Sequence, residues 1–206
     1  TKMLKEGMTL SQATTELCRM LGVKAKLIPM SNSPIRTKVF SGKSLLNFQE
    51  YFVQRKTEDE VRDVVFEGSE KAEPAPGILE AIETAERVVV CPSNPLLSIS
   101  PIISISAIRK ELRNTGGYIV GVSPIVGGKT IKGPADRIMT SMGLEASAYG
   151  VAKFYEDFLD HLIIDKADEH HRRRIEEIGV KVTVADTIMR NLEDSVRLAK
   201  VVMEAK

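Results

Sequence analysis

The 206-residue sequence has no tryptophan, three histidines and two cysteines, and only 5% of it is aromatic. Cys18 and Cys91 fall in a helical and a strand-terminal context, which argues against a disulfide framework or a zinc site and predicts a cytoplasmic protein. None of the histidines has zinc-ligand spacing. His161 lies in or beside a strand and His170-His171 open an H-H-R-R-R run, so all three read as solvated surface or local packing. Charge of one sign is also lacking. The 29 basic and 28 acidic residues leave a net charge of +1, which gives no electrostatic case for nucleic acid or a membrane surface as partner. No apolar run reaches the roughly 18 residues of a membrane span, and no signal peptide is visible. The patterns G-x-G-x-x-G, G-x-x-x-x-G-K-[ST] and G-x-S-x-G are all missing, so the dinucleotide fingerprint, the P-loop and the nucleophile elbow find no support. The chain opens on Thr1 and at once in a helical pattern, which predicts a further portion upstream.

What is present is an ordinary globular composition, 43% hydrophobic and 28% charged. A chain of this length can bury roughly 70% of its unfolded surface without staples. Residues 1–25 read as a helical lead-in. Thr9 and Gln12 have capping-box spacing, Leu10, Ala13, Leu17, Met20 and Leu21 form one apolar face, and Gly22 closes the helix. Residues 26–68 read as an antiparallel β insertion. K-A-K-L-I-P-M, I-R-T-K-V-F, F-Q-E-Y-F-V and V-R-D-V-V-F are its expected strands and Ser41-Gly42-Lys43 a hairpin loop, while Arg36, Lys38, Arg55, Lys56 and Arg62 face water.

Residues 69–206 alternate helix and strand. Helices are expected over P-A-P-G-I-L-E-A-I-E-T-A-E, from Ser100-Pro101 as N-cap and N1, between Gly133-Pro134 and Gly143, after Ser147, over 168–178, and over 191–204 with Leu192, Val196, Ala199 and Met203 inward. Strands are expected at 87–91, Y-I-V-G-V, H-L-I-I-D and K-V-T-V. The architecture implied is α/β: a Rossmann-like parallel sheet with helices on both faces, plus the small antiparallel β insertion.

The organising stretch is R-V-V-V-C-P-S-N-P-L-L-S, residues 87–98. Val88 to Val90 read as a buried strand that halts on small polar residues, with Cys91 as a small buried thiol beside them. P-S-N-P by itself is equally a plain turn. Parallel sheets take ligands outside the carboxyl ends of their strands. Three strand ends here carry small polar groups: Ser93, Asn94 and Ser98; Ser123, Gly127 and Gly128; Asp186 and Thr187. Hydroxyls, a carboxamide and glycine N–H groups converging on one edge suit phosphate oxygens, so these eight are the expected nucleotide- and phosphate-binding residues. Asp186 serves equally as a cap on the following segment.

P-S-N-P-L-L-S-I-S-P-I resembles the G-P-S-N-P-x-T-S-I-x-P-I segment of the 2-phospho-L-lactate transferase family, and V-S-P-I-V-G-G-K-T-I-K-G-P-A resembles its next block. F-Q-E-Y-F-V, P-A-P-G-I-L-E-A-I, Y-x-D-F-L-D and A-D-T-I-M-R-N-L-E-D follow the family in order and spacing. Cys91 stands where the family has glycine and Leu97 where it has threonine. The family's N-terminal glycine-rich phosphate loop and acidic metal ligands have no counterpart here. The resemblance implies a magnesium-assisted phosphotransferase of coenzyme F420 biosynthesis, cytoplasmic and homodimeric. It moves 2-phospho-L-lactate, or phosphoenolpyruvate, from lactyl- or enolpyruvyl-diphosphoguanosine to the ribityl hydroxyl of the deazaflavin Fo and releases GMP. Relatives of the same fold that bind nucleotide-sugars as regulators carry a G-S-L-Y-T-S-like segment where this chain has Ser93-Asn94-Pro95, so the residues favour the transferase.

Overall fold

The computed structural model describes residues 2–42, 44–57 and 59–206. The chain begins with helices α1 (Lys2–Lys5) and α2 (Leu10–Met20). Thr9 caps α2 reciprocally: its hydroxyl accepts from the Gln12 N–H at 3.2 Å and its own N–H donates to the Gln12 side chain at 2.8 Å. Of the apolar face of α2 only Ala13 is buried, whereas Leu17 and Met20 stand in solvent. Strands β1 (Arg36–Ser41), β2 (Ser44–Asn47) and β3 (Val61–Glu67) then form an antiparallel sheet with β1 in the middle. Val39, Leu46 and Val61 are buried, and Arg36, Arg55, Lys56 and Arg62 face water as their positions predict, with Lys38 half-buried. Lys43 of the expected hairpin loop lies outside the described residues.

Two expected strands of the insertion are not strands. K-A-K-L-I-P-M is an extended connection whose nearest pairing is the single bridge from Ser31 to Pro74; Pro29 has no N–H for a ladder. F-Q-E-Y-F-V is a π-helical turn over Glu50–Gln54, closed by the Arg55 N–H on the Glu50 carbonyl at 3.0 Å. Phe48, Tyr51 and Phe52 stand at i, i+3 and i+4, a helical spacing that outweighs their β propensity. Tyr51 is buried and anchors the turn to the core.

The remaining elements alternate. Helix α3 (Ile78–Glu83) and strand β4 (Arg87–Val90) lead to a π-helical turn (Pro95–Ile99), which runs into α4 (Ser100–Ile103) and α5 (Ser106–Asn114). Strand β5 (Tyr118–Val122), the short hairpin β6 (Ile125–Val126) and β7 (Lys129–Thr130), and helices α6 (Ala135–Ser141) and α7 (Ala148–Tyr155) follow. The chain ends with β8 (His161–Asp165), a 3₁₀ segment (Lys166–His171), α8 (Arg172–Glu177), β9 (Lys181–Ala185) and α9 (Leu192–Glu204). Strands β4, β5, β8 and β9 pair in that order, all parallel. Successive side chains leave the sheet on opposite faces. Ile119, Leu162, Ile164 and Val182 pack with α5, α7 and α8, while Val120, Val122 and Ile163 pack with Leu198, Val202 and Ala205 of α9 and its C-terminal end. The α/β architecture with helices on both faces therefore stands. Its central strand β8 is buried throughout.

Three details depart from expectation. Among the described residues strand β4 pairs only with β5, and here Val89 is 40% exposed and Cys91 is exposed rather than a buried thiol. The helix after β4 starts earlier than Ser100-Pro101: Asn94 is its N-cap and Pro95 its first residue, and the Ser100 hydroxyl instead donates to the Pro95 carbonyl at 2.7 Å. Helix α9 carries two apolar stripes at helical spacing, and the inward one is Leu198, Val202 and Ala205 after it, leaving Leu192, Val196, Ala199 and Met203 in water. Packing of Leu198, Val202 and Ala205 against Val120, Val122 and Ile163 sets its rotation. Asn191 accepts the Asp194 N–H at 2.9 Å, and Arg190 and Arg197 both pair with Asp194. We predict that Leu198→Ala lowers unfolding free energy by about 2–5 kcal/mol in urea titrations, while Leu192→Ala changes it by less than about 0.5 kcal/mol.

Candidate functional site

The carboxyl end of β8 holds two buried carboxylates that tie down the loops of its neighbours. Asp165 accepts from the N–H of Ala167 (3.0 Å), the N–H of Thr187 (2.9 Å) and the Thr187 hydroxyl (3.2 Å), which fixes the loop after β9. Burial works against the Asp165 charge, but these donors outweigh it and hold the carboxyl below its ordinary range. Asp168, fully buried, accepts the Gly127 N–H with both oxygens at 3.1 and 3.0 Å and so fixes the hairpin after β5. That hairpin needs left-handed backbone at both central positions; Gly127 (φ 58°) and Gly128 (φ 77°) supply it. Ser123 tightens the approach to it, with its hydroxyl donating to the Ile125 carbonyl at 2.9 Å and accepting the Ile125 N–H at 3.2 Å.

At the end of β4, the Asn94 side-chain oxygen accepts the N–H groups of Leu96 (2.9 Å) and Leu97 (3.1 Å), the work of an N-cap. Its amide nitrogen is buried and has no hydrogen-bond partner among the described residues. A buried donor left unmatched costs about 1–3 kcal/mol, so the position is held at some expense. Asn94 itself lies on the wall of the adjoining space.

That space is a cavity of about 730 Å³ at the carboxyl edge of the parallel sheet. Of the eight residues expected from the sequence, Ser93, Asn94, Ser98, Ser123 and Thr187 line it. Asp186, Gly127 and Gly128 do not. Asp186 accepts the Ile188 N–H at 3.2 Å and pairs with Arg190 and Arg197, as a cap would. The Gly127 N–H is spent on Asp168. Gly128 lines a smaller cavity of about 410 Å³ beside Tyr51 and Arg137. Asn94 and the hairpin nevertheless share one rim, since Val126, Thr130 and Lys132 also line the large cavity.

The opposite wall was not foreseen. Phe52 and Val53 of the π-helical turn and Phe48 and Gln49 just before it reach the cavity, joined by Ile131 and by Ile188 and Met189 beyond β9. The signal available was the helical spacing of Phe48, Tyr51 and Phe52. Both π-helical turns among the described residues contribute to this cavity, the first through Phe52 and Val53, the second through Leu97 and Ser98. Such turns occur often at functional sites.

Chemically, the cavity is lined by hydroxyl residues, the amides Asn94 and Gln49, Lys132 and a broad apolar wall. This set accepts a phosphorylated ligand with an apolar or planar part. Among the described residues no carboxylate lines it, and no group of three or more His, Cys, Asp or Glu is placed to hold a metal ion. Magnesium is ordinarily held by one or two carboxylates together with substrate phosphates, so the cavity residues do not by themselves form a site of that kind.

Fold and cavity together define an α/β parallel-sheet protein with a ligand site at the strand carboxyl ends. The family model for 2-phospho-L-lactate transferase CofD matches residues 1–202, and the chain belongs to that family. It is 36% identical over 202 residues to the 2-phospho-L-lactate transferase of Methanosarcina mazei, spanning 98% of this chain and 66% of that protein. Over 205 residues it is 40% identical to the enzyme of that name from Methanocaldococcus jannaschii, spanning 98% of this chain and 64% of that one. The chain thus spans about two thirds of the length of these relatives. A crystal structure of a Bacillus halodurans protein superposes with a TM-score of 0.67 at 15% identity, covering 95% of this chain and 67% of that one, a likeness of fold. Among the described residues no helix is long and apolar enough to cross a membrane.

Asp165→Asn removes a carboxylate that three donors hold. We predict a loss of about 1–3 kcal/mol at pH 7 in urea unfolding. Because the native carboxyl is depressed, its contribution is complete above the unfolded value of about 3.9 and fades as pH falls through the lower native value. The gap between parent and variant should therefore narrow in acid; a gap that stays constant to below pH 3 contradicts the assignment.

Proposed function

We propose that this cavity serves a phosphotransferase that moves 2-phospho-L-lactate, or phosphoenolpyruvate, from its guanosine diphosphate ester to the deazaflavin Fo in coenzyme F420 biosynthesis. One observation supports it above the others: a single cavity at the strand ends joins a wall of hydroxyl and amide donors to an apolar wall, as a reaction between a diphosphate ester and a large planar acceptor requires. The terminal ribityl hydroxyl oxygen forms a bond to the phosphorus bearing the lactyl group. The bond from that phosphorus to the oxygen bridging to GMP breaks, GMP departs with the electron pair, and the hydroxyl proton passes to the departing phosphate or to water. Little covalent work falls to the protein in such transfers, whose catalysis is chiefly positioning and charge neutralisation. Asn94 and Lys132 both line the cavity, and an amide N–H and an ammonium are the donors of this chain suited to the charge that builds on the transferring phosphoryl oxygens.

The direct assay incubates the chain with lactyl-diphosphoguanosine, Fo and Mg²⁺ and follows products by mass spectrometry. The expected result is phospholactyl-Fo and GMP in equal amounts; GMP without transfer, or no product, contradicts the proposal. Asn94→Asp separates the two duties of that residue, because a carboxylate still caps the helix but offers no N–H₂. It should keep the melting temperature within a few degrees and lower turnover by about 10²-fold.

A further inference from the structure

The smaller cavity, of about 410 Å³, shares no lining residue with the larger one. It forms where the π-helical turn of the insertion and the approach to β3 meet the β6–β7 hairpin and α6. Three charged side chains on its wall lack a partner of opposite charge. Lys129 and Glu60 make no side-chain hydrogen bond or ion pair among the described residues, and the Arg137 guanidinium donates to a neutral group, the Thr57 hydroxyl, at 2.9 Å. The other two carboxylates on the wall are engaged: Asp136 accepts the Thr130 hydroxyl at 2.7 Å, and Asp59 stands 3.8 Å from Arg55. Opposite charges that line one cavity without pairing stand too far apart to neutralise each other directly. Tyr51 lines the same space. Burial raises its phenol, while Arg137 lowers it and Asp59 raises it, so both charges act on that hydroxyl. Thr57 (φ 58°) follows Lys56 (φ 50°) in left-handed backbone, which a β-branched residue rarely adopts. Its N–H on the Tyr51 carbonyl at 3.1 Å and the bond from Arg137 hold it there. Backbone held in this way gathers at ligand clamps and switch regions.

We propose that this second cavity binds a small zwitterion, a free α-amino acid, with its carboxylate on Arg137 and Lys129 and its ammonium on Glu60. The proposal stands apart from the transferase reading and uses none of its residues. Charge decides the class of ligand. A lone anion such as phosphate meets three carboxylates, Asp59, Glu60 and Asp136, against two cations. A lone cation meets Arg137 and Lys129. A molecule carrying both signs satisfies each unpaired group at once. A guanidinium takes a carboxylate through two parallel N–H bonds, and Arg137 keeps donors to spare beyond the one given to Thr57. An ammonium has three donors, for which Glu60 and the hydroxyl oxygens of Tyr51 and Thr57 are acceptors on the same wall. Ile138 and Ala146 add an apolar stretch for a side chain, and the volume is that of a small-molecule pocket. The turn and the hairpin also line the larger cavity, through Phe52 and Thr130, so a ligand held between Tyr51 and Lys129 braces those two walls against each other.

The test titrates the chain with the common α-amino acids one at a time and reads backbone amide chemical shifts and melting temperature. Acetate, inorganic phosphate and ethylamine serve as probes that carry one sign of charge. At least one amino acid should bind saturably below about 10 mM, shift the amides of Thr57, Glu60, Lys129 and Arg137, and raise the melting temperature. Each single-sign probe should bind at least about tenfold more weakly. Glu60→Gln, at an exposed position, should weaken that amino acid about tenfold without disturbing the fold, and Arg137→Gln should do the same. If no amino acid binds, the proposal is overturned. Phosphate or acetate binding as tightly as the amino acid, with Glu60→Gln without effect, also overturns it and leaves a plain anion site. Binding that survives both substitutions puts the ligand elsewhere and overturns it as well; none of these outcomes touches the transferase reading.

Discussion

Two buried carboxylates at the end of one strand hold the candidate site in shape. Strand β8 runs through the middle of the parallel sheet, and just past its end Asp165 and Asp168 reach sideways to the loops of both neighbours. Without those ties, the loop carrying Thr187 and the hairpin carrying Thr130 and Lys132 would have no fixed distance from Ser93 and Asn94. A parallel sheet brings strand ends to one edge as a matter of topology. It does not decide where the loops beyond those ends go, and here buried hydrogen bonds to charge make that decision.

The same division separates what the sequence made legible from what it hid. Strand and helix alternation was readable because apolar runs such as Y-I-V-G-V and H-L-I-I-D are short, β-branched and bounded by turn residues. Caps at Thr9, Ser147 and Gly143 were readable because capping chemistry is local. Ser93, Asn94, Ser98, Ser123 and Thr187 could be gathered from the sequence because all of them follow strands of one parallel sheet. The ties themselves were not readable, since nothing local to Asp165 or Asp168 announces a partner more than twenty residues away.

Where the reading went astray, two patterns competed in one segment. F-Q-E-Y-F-V satisfies strand propensity and helical spacing at once, and tertiary anchoring of Tyr51 settles it as a π-helical turn. Helix α9 has two apolar stripes, and the fit of Leu198 and Val202 against the sheet chooses between them. Strand β4 is apolar enough to be central, and among the described residues it pairs only with β5. The first of these matters for function: mistaking the turn for a strand conceals the aromatic wall that makes the cavity more than a phosphate cradle.

The central claim is that strand ends and insertion form one ligand site. Amide chemical-shift mapping on the chain during titration with GDP, and then with Fo, addresses it directly. The account predicts that GDP perturbs the amides of Ser93 to Ser98 and of Thr187, and that Fo then perturbs those of Phe48 to Val53 on the same molecule. Perturbations confined to the opposite, amino-terminal edge of the sheet around His161, or GDP shifts with none in the insertion when Fo is added, would contradict it.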